Sequence, residues 1–177
     1  ASGKDFIVEG TYNINGKAPT FASGATAEIR SGALVKALSN TGGESDDFAG
    51  TATFPNVLFK TGSVFEWNTS AFASSGITYF NSGGAEKPTF RVTANVGSVG
   101  ANSTTTFNGK FEASSTGSIT FQNSGTKIFR DGFGGAGTIT HKGGSLAADN
   151  ASGPFQITSA TAVIDGTVTL NLQNNSF

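Results

Sequence analysis

Four phenylalanines, Phe111, Phe133, Phe155 and Phe177, fall 22 residues apart, and Phe107 and Phe129 repeat the step. Few architectures ask for such a spacing. A parallel β-helix uses roughly 20 to 30 residues per coil for two or three short strands and their corners. Residues one coil apart then lie about one strand spacing, ~4.8 Å, from each other, so identical aromatics stack into an internal ladder. The chain holds 16 Phe in 177 residues, and coincidence is the competing explanation for one such series. The N-terminal half does not continue it: Thr89 and Trp67 stand where further rings would fall. That half reads as irregular coils with two inserted loops, residues 40–50 and 81–88.

The local pattern agrees with short strands and tight turns. Phe6-Ile7-Val8-Glu9, Ala27-Glu28-Ile29-Arg30, Val57-Leu58-Phe59-Lys60 and Val64-Phe65-Glu66-Trp67 are rich in β-formers and flanked by Gly or Pro. Further strands are predicted over 89–96, 104–111, 118–122, 127–130, 137–140, 155–158 and 161–172. Apolar and polar residues alternate in Thr89-Phe90-Arg91-Val92-Thr93 and in Thr167-Val168-Thr169-Leu170-Asn171-Leu172. Asn15-Gly16, Asn108-Gly109, Asp131-Gly132 and Asp165-Gly166 tolerate positive φ and predict sharp turns. The best helical stretch, residues 33–39, is short and fits alternation equally well. Residues 6–14 suit either a cap for the open end of a solenoid or a strand for a neighbour. The expected architecture is all-β: a right-handed parallel β-solenoid or β-helix with irregular N-terminal coils. It forms one domain over residues 1–177, a segment of a larger protein, and an antiparallel β-sandwich is the alternative.

Composition removes several functions. Charged residues are 13% of the chain, about half the usual share, yet the abundance of Phe argues against disorder. The net charge is −1 with no basic run, which disfavours nucleic acid and anionic membrane surfaces as partners. No apolar stretch approaches the ~18 residues of a membrane span. Cysteine is absent, which removes disulfides, thiol catalysis and thiolate zinc sites. Methionine is absent too and no leader is visible, as expected of a processed or excised segment.

The run Phe21-Ala22-Ser23-Gly24-Ala25-Thr26-Ala27-Glu28-Ile29-Arg30-Ser31-Gly32-Ala33 resembles coils of large bacterial surface proteins. Residues 57–67 (VLFKTGSVFEW) and 118–130 (SITFQNSGTKIFR) share that character. Such segments are similar to the adhesin-like, repeat-rich cargo of the type IX secretion system and to autotransporter passengers. The resemblance covers most of the chain through degenerate motifs, and no sorting domain accompanies it. It implies a secreted, surface-displayed β-solenoid without a specified ligand.

Chemistry has few footholds. A Ser/His/Asp triad needs a histidine base, and the sole histidine is His141. Alternation puts it on one face with Ile139, beside a Gly-Gly turn, where an exposed strand-end histidine is the simpler reading. Calcium takes oxygen ligands, and Glu44, Asp46 and Asp47 form the densest carboxylate cluster. That cluster is the candidate calcium site, with a solvated loop as the other reading. Trp67 and Tyr79 are the candidate sugar-stacking residues, although Trp67 alternates with Phe65 and also fits the core. Arg130-Asp131 with Lys127 and Lys142 nearby is the nearest approach to a polysaccharide-lyase arrangement; a surface ion pair at a turn explains it equally well. Thr-x-Thr pairs at Thr51, Thr104, Thr138 and Thr167 are too unevenly spaced to form one ice-binding face.

The expected role is a non-catalytic structural or adhesive display module at the cell surface, with no cofactor unless calcium. Its partners would be extracellular polymers, polysaccharide among them, or further copies along the solenoid axis. A polysaccharide-binding or lyase-like domain and a strand-exchanging filament subunit are the alternatives.

Overall fold

The computed structural model describes residues 5–15, 21–39, 46–49, 56–69, 77–80, 85–100, 104–122, 125–149 and 161–173. They form β1 (Phe6–Val8), β2 (Thr11–Asn15), β3 (Ala27–Ile29), β4 (Leu34–Ser39), β5 (Val57–Phe59), β6 (Val64–Trp67), β7 (Thr78–Tyr79) and β8 (Thr89–Val92). The rest are β9 (Asn95–Gly100), β10 (Thr105–Phe107), β11 (Lys110–Ala113), β12 (Ser118–Gln122), β13 (Lys127–Phe129), β14 (Phe133–Gly135), β15 (Thr138–Asp149) and β16 (Thr161–Gln173). One 3-10 turn, Asp46–Ala49, is the only helical element among the described residues.

All pairings between these strands are parallel. The chain is therefore a parallel β-solenoid, and the sandwich alternative, which needs antiparallel neighbours, is ruled out. One side is a six-stranded sheet in the order β14-β11-β8-β6-β4-β2. A second side starts as the three-stranded sheet β1-β3-β5. The third sheet has the order β7-β10-β13-β15-β12-β9, with β16 added on β15. It spans a corner, because β15 pairs with β12 through Thr138–Lys142 and with β13 through Leu146–Ala148. The register of β15 against β16 shifts between Lys142 and Gly144. Asp165-Gly166 thus lies inside β16 as part of that irregularity, where a separate turn was expected.

Alternation decides what goes inside. On the six-stranded sheet the inward column runs Tyr12, Val35, Phe65, Phe90, Phe111, Phe133 in register. On another side Tyr79, Phe107 and Phe129 stack at 5.0 and 5.3 Å with interplanar angles of 10° and 3°. The two columns meet across the core, with Phe107 and Phe111 at 4.7 Å. Each such ring, moved from water, contributes roughly 1.5–3 kcal/mol, so the aromatic ladder is the main adhesive between coils.

The 22-residue step is a true register relation for Phe111 with Phe133 and for Phe107 with Phe129; Phe155 and Phe177 lie outside the described residues. Further toward the N-terminus the column continues with a variable step. Phe111 pairs with Phe90 at 21 residues, Phe90 with Phe65 at 25, and Phe65 with Val35 at 30. A fixed step of 22 from Phe111 reaches Thr89, the outward neighbour of Phe90. The coils are irregular there because loops of different length leave the same corners.

Residues 33–39 resolve in favour of alternation: β4 is a strand with Val35 and Ala37 buried. Residues 6–14 form the first rung, with β1 on β3 and β2 on β4 of the same chain. Corners between the first two sides use β-turns in which Ala33 N–H donates to the Arg30 carbonyl and Ser63 N–H to the Lys60 carbonyl, each at 2.9 Å. Gly32 and Gly62 hold φ of 79° and 82° at the third turn position, which side chains with a Cβ resist. Gly137 serves a different need at a later corner. A Cβ there would sit 2.1 Å from the Ser114 carbonyl oxygen and 2.3 Å from that of Gly117.

Candidate functional site

The outward face of the six-stranded sheet carries an ordered set of charges. One register column reads Asn13, Lys36, Glu66, Arg91, Glu112, Gly134. Its charges alternate in sign from rung to rung. Lys36 Nζ lies 3.5 Å from Glu66 Oε1, and Arg91 Nε donates to Glu112 Oε1 at 2.6 Å. Lys110 Nζ approaches the other Glu112 oxygen at 3.1 Å. Burial opposes ionisation of Glu112, yet the hydrogen bonds from Arg91 and Lys110 prevail and hold its carboxyl below the usual range. Beside this stripe runs a half-buried column of Leu34, Val64 and Thr89, ending on Lys110.

The adjoining corner continues the theme. Arg30 engages both Glu9 and Glu28. Lys60 Nζ donates to Glu86 Oε1 at 2.7 Å, while the backbone N–H and the hydroxyl of Thr61 donate to Glu86 Oε2 at 2.7 and 2.9 Å. These donors, Lys60 foremost, pull the Glu86 carboxyl down to about 2. Lys87 Nζ pairs with Asp131 Oδ1 at 3.1 Å. Residue 86 belongs to the predicted 81–88 loop, so the part of that loop that is described is tied onto the preceding rung.

The sequence-derived candidates do not converge on one place. Glu44 lies outside the described residues; Asp46 and Asp47 open the 3-10 turn, and their side chains also lie outside what is described. Among the described residues no three His, Cys, Asp or Glu side chains gather in a group able to hold a metal ion. Trp67 and Tyr79 are correctly placed in strands but face inward and are fully buried. Trp67 sits 6.3 Å from Phe65 and Tyr79 stacks on Phe107. Neither ring offers a face to a sugar, because the ladder needs their area more than the surface does. Of the residues near Arg130, Lys127 is inside, Lys142 is exposed, and Asp131 pairs with Lys87.

Two buried polar residues were not anticipated. Lys127 is only 1% exposed, in register with the buried Thr105, and its Nζ donates to the Gly125 carbonyl at 2.9 Å. Burial lowers its pKa. His141, expected at an exposed strand end, is 4% exposed and in register with the buried Phe121. Neither of its ring nitrogens has a hydrogen-bond partner, and neither does the buried Thr105 hydroxyl. Burial first, and the Lys127 charge second, push the His141 pKa down. Alternation already placed His141 with Ile139; its burial followed once both faces of that side were known.

Each stripe charge comes one residue after a core position, as in Val35-Lys36, Phe65-Glu66, Phe90-Arg91 and Phe111-Glu112. Comparison with protein-family models, curated proteins and solved structures found no match.

Proposed function

We propose that the chain is a structural and adhesive display module of an extracellular bacterial surface protein, working without catalysis or a cofactor. The observation that carries this reading is the outward six-stranded face, where charges alternate at strand spacing on a scaffold locked by stacked rings. A rigid linear array of this kind suits an extended polymer with its own regular spacing, and polysaccharide is the proposed class. The local pairing of charges keeps the array from attracting polyanions indiscriminately.

The test is retention of the immobilised chain on a panel of acidic and neutral polysaccharides, with the ultraviolet absorbance of the supernatant followed. Binding without new absorbance, weakened by exchanging Arg91 and Glu112 for alanine, is the expected result. Release of an unsaturated, ultraviolet-absorbing product would replace this reading with a lyase. Retention on no polysaccharide would remove the adhesive part and leave a spacer.

A further inference from the structure

The C-terminal coils contain a break in the apolar interior. Lys127 of β13, in register with the buried Thr105, and His141 of β15, one rung on from Phe121, are both buried there. His141 sits between Phe121 of β12 and Ile164 of β16. Lys127 of β13 is the charged group that acts on it. No described carboxylate acts on the imidazole. Its strand neighbours Thr140 and Lys142 point away from the core by alternation. A neutral imidazole with no hydrogen-bond partner is tolerable in such a place; an imidazolium beside a lysine ammonium is not.

We propose that His141 is an acid-sensitive latch: its protonation, inside the core and next to Lys127, loosens β15 and β16 from the coils before them in mildly acidic surroundings.

The sign follows from linkage. The unfolded chain binds a proton near the ordinary value of 6.5, and the folded chain binds it only at lower pH. Stability is therefore lost as pH falls below 6.5 and stops falling once the folded value is passed. Within that window the opening equilibrium rises by up to about tenfold per pH unit. Glu86 and Glu112 start from 4.5 and move down, so their losses begin only near 4.5, two units under the start of the His141 loss. Lys127 starts from 10.5, and its own loss begins far above it.

The single histidine makes the test direct. The imidazole resonances of the intact chain are titrated by NMR, and amide exchange is followed over 138–149 and 161–173 at pH about 7 and about 5.5, corrected for intrinsic rates. Folded-state titration below 6.5 is expected, with opening of β15 and β16 increased by up to roughly tenfold while β4 and β6 hold. His141→Phe, which continues the Phe121 column, is expected to abolish the pH response. Titration at or above 6.5, an equal response in His141→Phe, or equal loosening of β4 and β6 would each overturn the proposal. If His141→Phe does not fold, the titration and the exchange pattern of the natural chain decide the matter alone.

Discussion

Phe107→Ala is the substitution that most directly tests whether stacked rings hold the coils together. Phe107 is fully buried and touches five other rings. It is parallel to Tyr79 at 5.0 Å and Phe129 at 5.3 Å, and inclined to Phe111 at 4.7 Å, Phe90 at 5.3 Å and Phe121 at 6.3 Å. Truncating a buried Phe costs about 3–5 kcal/mol, and well-placed aromatic pairs add about 0.5–1.5 kcal/mol each beyond their area. Five such neighbours put the loss at the upper end, about 5 kcal/mol, against a total of about 5–15 kcal/mol for a typical domain. Leu38→Ala, at a side chain 39% exposed, is the matched control and should cost under about 1 kcal/mol. Urea unfolding read by Trp67, the sole and fully buried tryptophan, measures both. Because a solenoid coil touches only its neighbours, amide exchange should show the damage centred on β7, β10 and β13. A loss for Phe107→Ala no larger than for Leu38→Ala would refute the reasoning.

Two further predictions concern charge. Arg91→Glu sets carboxylates on three successive strands and should lower stability by about 1 kcal/mol at low salt. Adding Glu112→Arg should recover part of it, and a double-mutant cycle without coupling would count against the stripe as a register device. The Glu86 carboxyl sits near about 2 in the fold against an ordinary 4.5, so its contribution is present above 4.5 and is lost as pH falls toward about 2. Thermal melts across that range should show a shallower acid limb in Glu86→Gln; an unchanged limb would assign the effect to other groups.

The fold class was readable because one physical signal, rings at coil spacing, survives in the regular half of the chain. It faded toward the N-terminus for a mechanical reason. The corners there accept loops of different length, so Phe90, Phe65 and Val35 stay in one column while their separation drifts. Local alternation was the better guide in that half and correctly separated core from surface around Phe65 and Phe90. It could not say which strands become neighbours, and the charge stripe exists only through neighbours. Trp67 and Tyr79 show the opposite error. An aromatic residue in a polar sequence suggests an exposed binding ring, but a narrow solenoid has so little interior that large rings are claimed by it first. Lys127 and His141 were misjudged because burial of a basic side chain depends on what closes the space around it, and that comes from strands distant in sequence.

The stripe and the ladder are one device seen from two sides. A parallel strand that slips by one residue exchanges its faces, which here would carry Glu66 or Arg91 into the ring column and expel Phe65 or Phe90. The same slip would also break the opposite-charge pairing outside, so inner and outer codes reject the same errors. Neither code is followed at Lys127 and His141, where two basic groups occupy inward positions without a described carboxylate acting on His141. A coil stack whose register is doubly secured along most of its length and holds a buried imidazole without a hydrogen-bond partner in its later coils should yield first there. Acid should bring this yielding forward while leaving the ring-locked coils in place.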